Sequence, residues 1–308
     1  MDASSEDSVA ASAQTDTAKK QLRWLKPLLS VFIITVTGWL FVRYLHAHPD
    51  YVMRLRQTHI GWIIAILLAD FAAITTLALL YQVLVRMTGK RLPPTENWLL
   101  TIYSSIANFF GPFQSGPGVR AAYLKSKYHV SLRAYFFVTL FSYAVYTVLS
   151  AFCLLVGTRP WWQTTLACLL AAGVSALVIR RVGHKRSGKL SEVHITRRLV
   201  VALTALTALQ ITFICLRYYL ALRAGGAQLS LGQAVSYTGA ANFALFVSIT
   251  PDGIGIREAF LLFAQHIHLV STDAIVTANI IDRATFVVFL GLLFMVALGL
   301  HAKDRFKS

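Results

Sequence analysis

Acidic residues are scarce in this chain: 13 Asp and Glu stand against 29 Lys and Arg in 308 residues, and no two aspartates are spaced as Asp-x-Asp. The usual sequence sign of a metal-dependent transferase, paired carboxylates beside an aqueous loop, is therefore missing. Cysteine is equally thin. Cys153, Cys168 and Cys215 all fall inside apolar stretches and are odd in number, so they describe neither a disulfide framework nor a metal cluster. His266 and His268 have no Cys or carboxylate at a ligand spacing. No metal and no cofactor is expected. Charge of any kind is rare, at 14% of residues, while 56% are hydrophobic and the mean hydropathy is +0.60. A water-soluble domain does not have that composition.

What the chain has instead is long uncharged runs, among them 97–119, 134–158, 160–179, 224–251 and 284–302. Several reach the roughly 20 residues that cross a bilayer as a helix. The expectation is an all-α polytopic membrane protein with about six full spans, near 27–44, 61–85, 134–157, 161–179, 199–222 and 277–300. Two re-entrant broken-helix hairpins, near 97–128 and 232–268, complete it. The first 18 residues are acidic and rich in Ala, Ser and Thr, which predicts a disordered tail ahead of a single membrane domain over 19–308. Most basic residues then fall on one side of the membrane, which places both termini in the cytoplasm of a bacterial cell and the chain in its cytoplasmic (inner) membrane. That pattern also accounts for the net charge of +16. A nucleic-acid binder would gather its charge on one face among aromatics, so no nucleic-acid partner is expected.

The most informative feature is an internal repeat. Gly116-Pro117-Gly118-Val119-Arg120-Ala121-Ala122-Tyr123-Leu124 matches Gly253-Ile254-Gly255-Ile256-Arg257-Glu258-Ala259-Phe260-Leu261, and Ala-Asn-Phe stands upstream of each copy, at 107–109 and 241–243. Three expected spans separate the copies. The second must then face the opposite side of the membrane, giving an inverted-topology repeat with halves near 60–157 and 199–300. Gly/Pro-interrupted apolar segments in corresponding places of two such halves are the best sequence pointer to a transporter's binding site.

Ser115 and Asp252 precede the glycines at matching positions and suit the N-cap of a half-helix. Free amides and the positive end of the dipole lie there, and Arg120 and Arg257 follow five residues later, where a helical side chain leans back toward the break. Together these make a phosphate site. The alternative is that each Arg snorkels to the interface or pairs with a carboxylate. Glu258 can accept an amino group, carry a proton or neutralise Arg283 or Arg217. Asp70 is expected to pair with Arg217, with a proton relay as the other option, and Asp282 and Arg283 are further charges inside a span.

The segment Pro251-Asp252-Gly253-Ile254-Gly255-Ile256-Arg257-Glu258-Ala259, followed by an apolar half-helix and the late Arg283, resembles the lysylphosphatidylglycerol synthase transmembrane-region family. The resemblance implies a flippase that moves lipid between leaflets, with two broken hairpins around a central cavity. Gly253, Gly255, Arg257, Glu258 and Arg283 carry over by motif, with Arg120 as the match in the first hairpin. Asp252 replaces a glycine usual in the family, the first hairpin lacks the acidic residue common after its glycine, and Ser142-Tyr143 stands where Glu-Arg is frequent. The implied partner is a membrane lipid: a phospholipid, an aminoacyl lipid or a polyprenyl-phosphate glycolipid. No synthetase segment is present, so the chain is expected not to act as an enzyme by itself. A non-transporting partner of a lipid-modifying or envelope-synthesis enzyme, or a membrane-embedded transferase, is the competing class.

Overall fold

A computed structural model describes residues 56–110, 115–155, 193–247 and 270–305, with scattered positions near 35–53 and 162–173. The expected tail over 1–18, the expected spans 27–44 and 161–179 and the second glycine motif lie wholly or largely outside the described residues. The chain divides into two compact units, Met1–Pro49 and Asp50–Ser308, and every element below belongs to the second.

The described residues form seven α-helices and no strand. They are α1 (Ile60–Met87), α2 (Pro94–Phe110), α3 (Gly116–Tyr128), α4 (Leu132–Leu155), α5 (Arg197–Ala224), α6 (Leu231–Val247) and α7 (Thr272–Arg305). Four of them, α1, α4, α5 and the Thr272–Leu300 part of α7, are long and apolar enough to cross a membrane. These coincide, within a few residues, with four of the six spans read from hydropathy. The 17-residue α2 and the 13-residue α3 fall short. At about 1.5 Å per residue they reach roughly 25 and 20 Å, against a hydrocarbon core of about 30 Å.

Local chemistry sets the ends. Thr196 accepts from the Leu199 amide to start α5, and Ser230 and Gln233 exchange hydrogen bonds as a capping box at the head of α6. Gly89 (φ 72°) and Gly226 (φ 87°) take the chain out of α1 and α5 in the left-handed region. Outward positions such as Leu68, Phe71, Phe136, Leu140, Val201 and Met295 are large, apolar and exposed, as a lipid-facing surface requires.

Helices α1 and α5 pack on each other antiparallel, for the His194 amide just ahead of α5 donates to the Met87 carbonyl at the end of α1, 2.7 Å away. Both have 28 residues, and α2 and α6 both have 17. Ile60 and Arg197, Pro94 and Leu231, and Gly116 and Gly253 are separated by an identical number of residues. The neighbours correspond as well: α2 packs on α7 as α6 packs on α4, α1 on α2 as α5 on α6, and α1 on α4 as α5 on α7.

Small residues let these elements approach. A Cβ on Gly239 of α6 would collide with the backbone of Cys153 and Leu154 in α4, and Ser236 one turn earlier donates to the Leu154 carbonyl at 2.9 Å. Interhelical contact in lipid rests on such close backbone packing rather than on a hydrophobic drive. Gly239→Ala should therefore force α4 and α6 apart and lower the melting temperature of the solubilised protein by several degrees. Gly299→Ala, where a Cβ meets nothing within 4 Å, should leave it unchanged or slightly raised.

Candidate functional site

Helices α2 and α3 fold back on each other across 111–114, which lie outside the described residues. The described residues on either side of that segment are joined through side chains. Asn108, near the end of α2, accepts the Gly116 amide on Oδ1 at 2.7 Å. A Cβ on Gly116 would come within 2.6 Å of that oxygen, so only glycine lets the two helices meet there. Ser115 stands at the N-cap position of α3 but does not cap it through its side chain. Its backbone is already helical, at φ −61° and ψ −11°, and its hydroxyl donates to the Ala107 carbonyl of α2. This corrects the capping role read from the sequence. Gly118 is exposed, and a Cβ there would meet nothing within 4 Å.

The other end of this hairpin is tied by a charge cluster. Glu96, in the first turn of α2, accepts from the Tyr123 hydroxyl and from Lys127 Nζ at 3.0 Å. Burial pushes the Glu96 carboxyl up, but hydrogen bonds from Tyr123, Lys127 and Tyr128 outweigh that and hold it below the ordinary carboxylate range. The same contacts hold the Lys127 ammonium above its usual value.

Arg120 is 5% exposed, with its guanidinium over the ring of Tyr81 in α1. No carboxylate among the described residues pairs with it, and its Nε has no hydrogen-bond partner. Tyr81 and Tyr143 lie close enough to Arg120 to interact with its charge, and Tyr135 is close to both tyrosines.

The remaining interior charges gather on Arg217. Its Nη1 donates to Asp70 Oδ1 of α1 at 3.0 Å, and its Nε lies 2.9 Å from Asp282 Oδ1 of α7, an ion pair whose N–H is poorly aligned for a hydrogen bond. Arg283, the next residue of α7, is 2% exposed. The candidates Asp252, Gly253, Gly255, Arg257 and Glu258 fall outside the described residues. Sequence reasoning passed over Tyr81, Tyr135, Asn108 and the Glu96 cluster, and met Tyr143 only as a departure from the family pattern. Asn108 was within sight, since it sits in the repeated Ala-Asn-Phe.

A helical bundle with four candidate spans, interior charges paired between helices and one buried guanidinium facing tyrosines defines a multi-pass membrane protein. The sequence pattern of the lysylphosphatidylglycerol synthase TM region matches residues 24–293, and the chain belongs to that family. No curated protein matches the chain.

Two outcomes follow from this geometry. Arg217→Met would leave Asp70 and Asp282 buried without a counter-charge and should destabilise the solubilised protein by about 3–5 kcal/mol. Adding Asp70→Asn and Asp282→Asn in the same chain should restore most of the loss, read by thermal melting. For the hairpin, a depressed Glu96 pKa stabilises the folded form above the usual carboxylate value of about 4.3, and that contribution disappears as the pH falls through the folded value. Hydrogen exchange in 116–128 should thus accelerate at neutral pH in Glu96→Gln, and in the wild type only at acid pH.

Proposed function

We propose that this protein is a lipid translocase of the bacterial cytoplasmic membrane that holds an anionic headgroup between two broken hairpins. The observation that carries this is Arg120: a guanidinium 5% exposed, near the head of a half-helix, with no carboxylate partner among the described residues. An ionised group in a membrane interior costs on the order of 3 kcal/mol even on insertion scales, and intramembrane charges mark substrate paths. A phosphate on the ligand supplies the missing charge.

The two halves are read as an inverted repeat. Equal helix lengths, equal spacing of the glycine motifs, antiparallel packing of α1 on α5 and the corresponding sets of neighbours support that reading. In this arrangement α2–α3 is a re-entrant hairpin open to the cytoplasm, and α6 begins its counterpart from the other face, where Arg257 and Glu258 belong. Six spans, with both termini cytoplasmic, complete the proposed topology. The cargo is an anionic lipid, and the family's name, that of an enzyme making an aminoacyl phospholipid, supports a lipid as ligand. The same name favours a second reading, in which the chain is the membrane partner of a lipid-modifying enzyme without moving lipid itself.

Proteoliposomes distinguish the two. With fluorescent phosphatidylglycerol in both leaflets and dithionite added outside, wild-type protein should bleach more than half of the label, against about half for empty vesicles. Arg120→Lys and Arg257→Lys keep the charge but lose the bidentate fork, and each should fall back toward the empty-vesicle value. Wild-type vesicles that bleach like empty ones rule out translocation and leave the partner reading.

A further inference from the structure

Helix α4 carries a polar stripe within its apolar length: Tyr135, Thr139 and Tyr143 follow one another at intervals of four residues and so share one face. That face includes the neighbours of Arg120 described above. Tyr135 is 4% exposed and Thr139 9% exposed, and neither hydroxyl has a hydrogen-bond partner. Thr139 is informative because of what other threonines do. Thr75, Thr76, Thr101, Thr147, Thr204, Thr207, Thr212 and Thr238 each donate to the carbonyl four residues back in their helices. Thr139 does not, nor does Thr285. Arg120 Nε, Tyr135 Oη and Thr139 Oγ1 thus stand unmatched, and Thr139 lies between Tyr135 and Tyr143 on the α4 face that carries the tyrosines near Arg120. Buried polar groups in folded proteins are almost always satisfied, and a set left unsatisfied marks a missing partner. Arg120 Nε can only donate and both hydroxyls can donate, so one acceptor satisfies all three, and no carboxylate among the described residues pairs with Arg120.

We propose that Tyr135 and Thr139 of α4, with Arg120 of α3, form a phosphate-reading site that takes the singly charged phosphodiester of an anionic phospholipid. The inference rests on the translocase reading above and narrows its cargo. Arg120 supplies charge, and the two hydroxyls supply direction, fixing the phosphate oxygens against the Tyr81 and Tyr143 rings. The site selects by net charge of the headgroup: with choline or ethanolamine it would hold two cations against one phosphate, whereas with glycerol it holds one.

The test uses the full chain in detergent, with dihexanoyl phosphatidylglycerol, dihexanoyl phosphatidylcholine and inorganic phosphate as probes, and reads dissociation constants and lipid-free melting temperatures for the wild type, Tyr135→Phe, Thr139→Val and Arg120→Lys. Tyr135→Phe and Thr139→Val should each weaken phosphatidylglycerol binding by about 10- to 100-fold, the loss of one hydrogen bond to a charged acceptor. Both should leave the lipid-free melting temperature unchanged or raised, since each removes a buried hydroxyl that has no protein partner. A purely structural role would lower it. If both variants bind like the wild type while Arg120→Lys binds weakly, or if either lowers the lipid-free melting temperature, the tyrosine–threonine site is wrong and the Arg120 reading stands. If Arg120→Lys also binds like the wild type, the anionic-headgroup reading itself fails. Inorganic phosphate binding as tightly as phosphatidylglycerol overturns the lipid as source, and phosphatidylcholine binding as tightly overturns the selection by charge.

Discussion

A charge inside a membrane has no water to fall back on, and the frame of this protein is arranged around one that is shared. Arg217 of α5 reaches Asp70 of α1 and Asp282 of α7, so three long helices are bound at one level by a guanidinium between two carboxylates. Attraction between such charges is strong in a low-dielectric interior, but only where the partners are already in place. The pairing thereby fixes the register of α1 against α5 and of α7 against both. The shorter helices are hung on that frame, and their freedom is what remains after it is set.

Between the spans, the hairpin of α2 and α3 solves a different problem. A chain that turns back between two helices leaves terminal amides and carbonyls without helical partners. Asn108 and Ser115 provide the missing bonds from side chains, and Gly116 permits the approach that makes them possible. One end of the hairpin is thus closed by neutral polar groups and the other by the Glu96–Tyr123–Lys127 cluster. Arg120 lies between the two closures and is matched by neither.

Much of this was legible in the sequence because hydropathy and repetition survive without coordinates. Uncharged runs located α1, α4, α5 and α7, and the shared Gly-x-Gly motif located the hairpin, since both signals depend on composition along the chain. The companions of Arg120 were not legible. Tyr135, Thr139 and Tyr143 sit in a run whose apolar character hides a four-residue spacing of polar groups, and Tyr81 meets Arg120 from a span far away in sequence. Ser115 was misread for a related reason: its residue type suits a cap, but whether the hydroxyl turns forward to α3 or back to α2 depends on a helix that only the fold brings beside it.

The equal lengths of α1 and α5, and of α2 and α6, have a historical consequence. Two halves that pack head to tail against each other need not have been born in one chain. On the proposed inverted-repeat reading, a single ancestral half inserting in either direction would form the α1–α5 contact as a homodimer, and fusion of two such genes would free each copy to acquire its own chemistry. The sequence fits that history: an arginine stands at 120 and at 257, while alanine stands at 121 where the other copy has glutamate at 258.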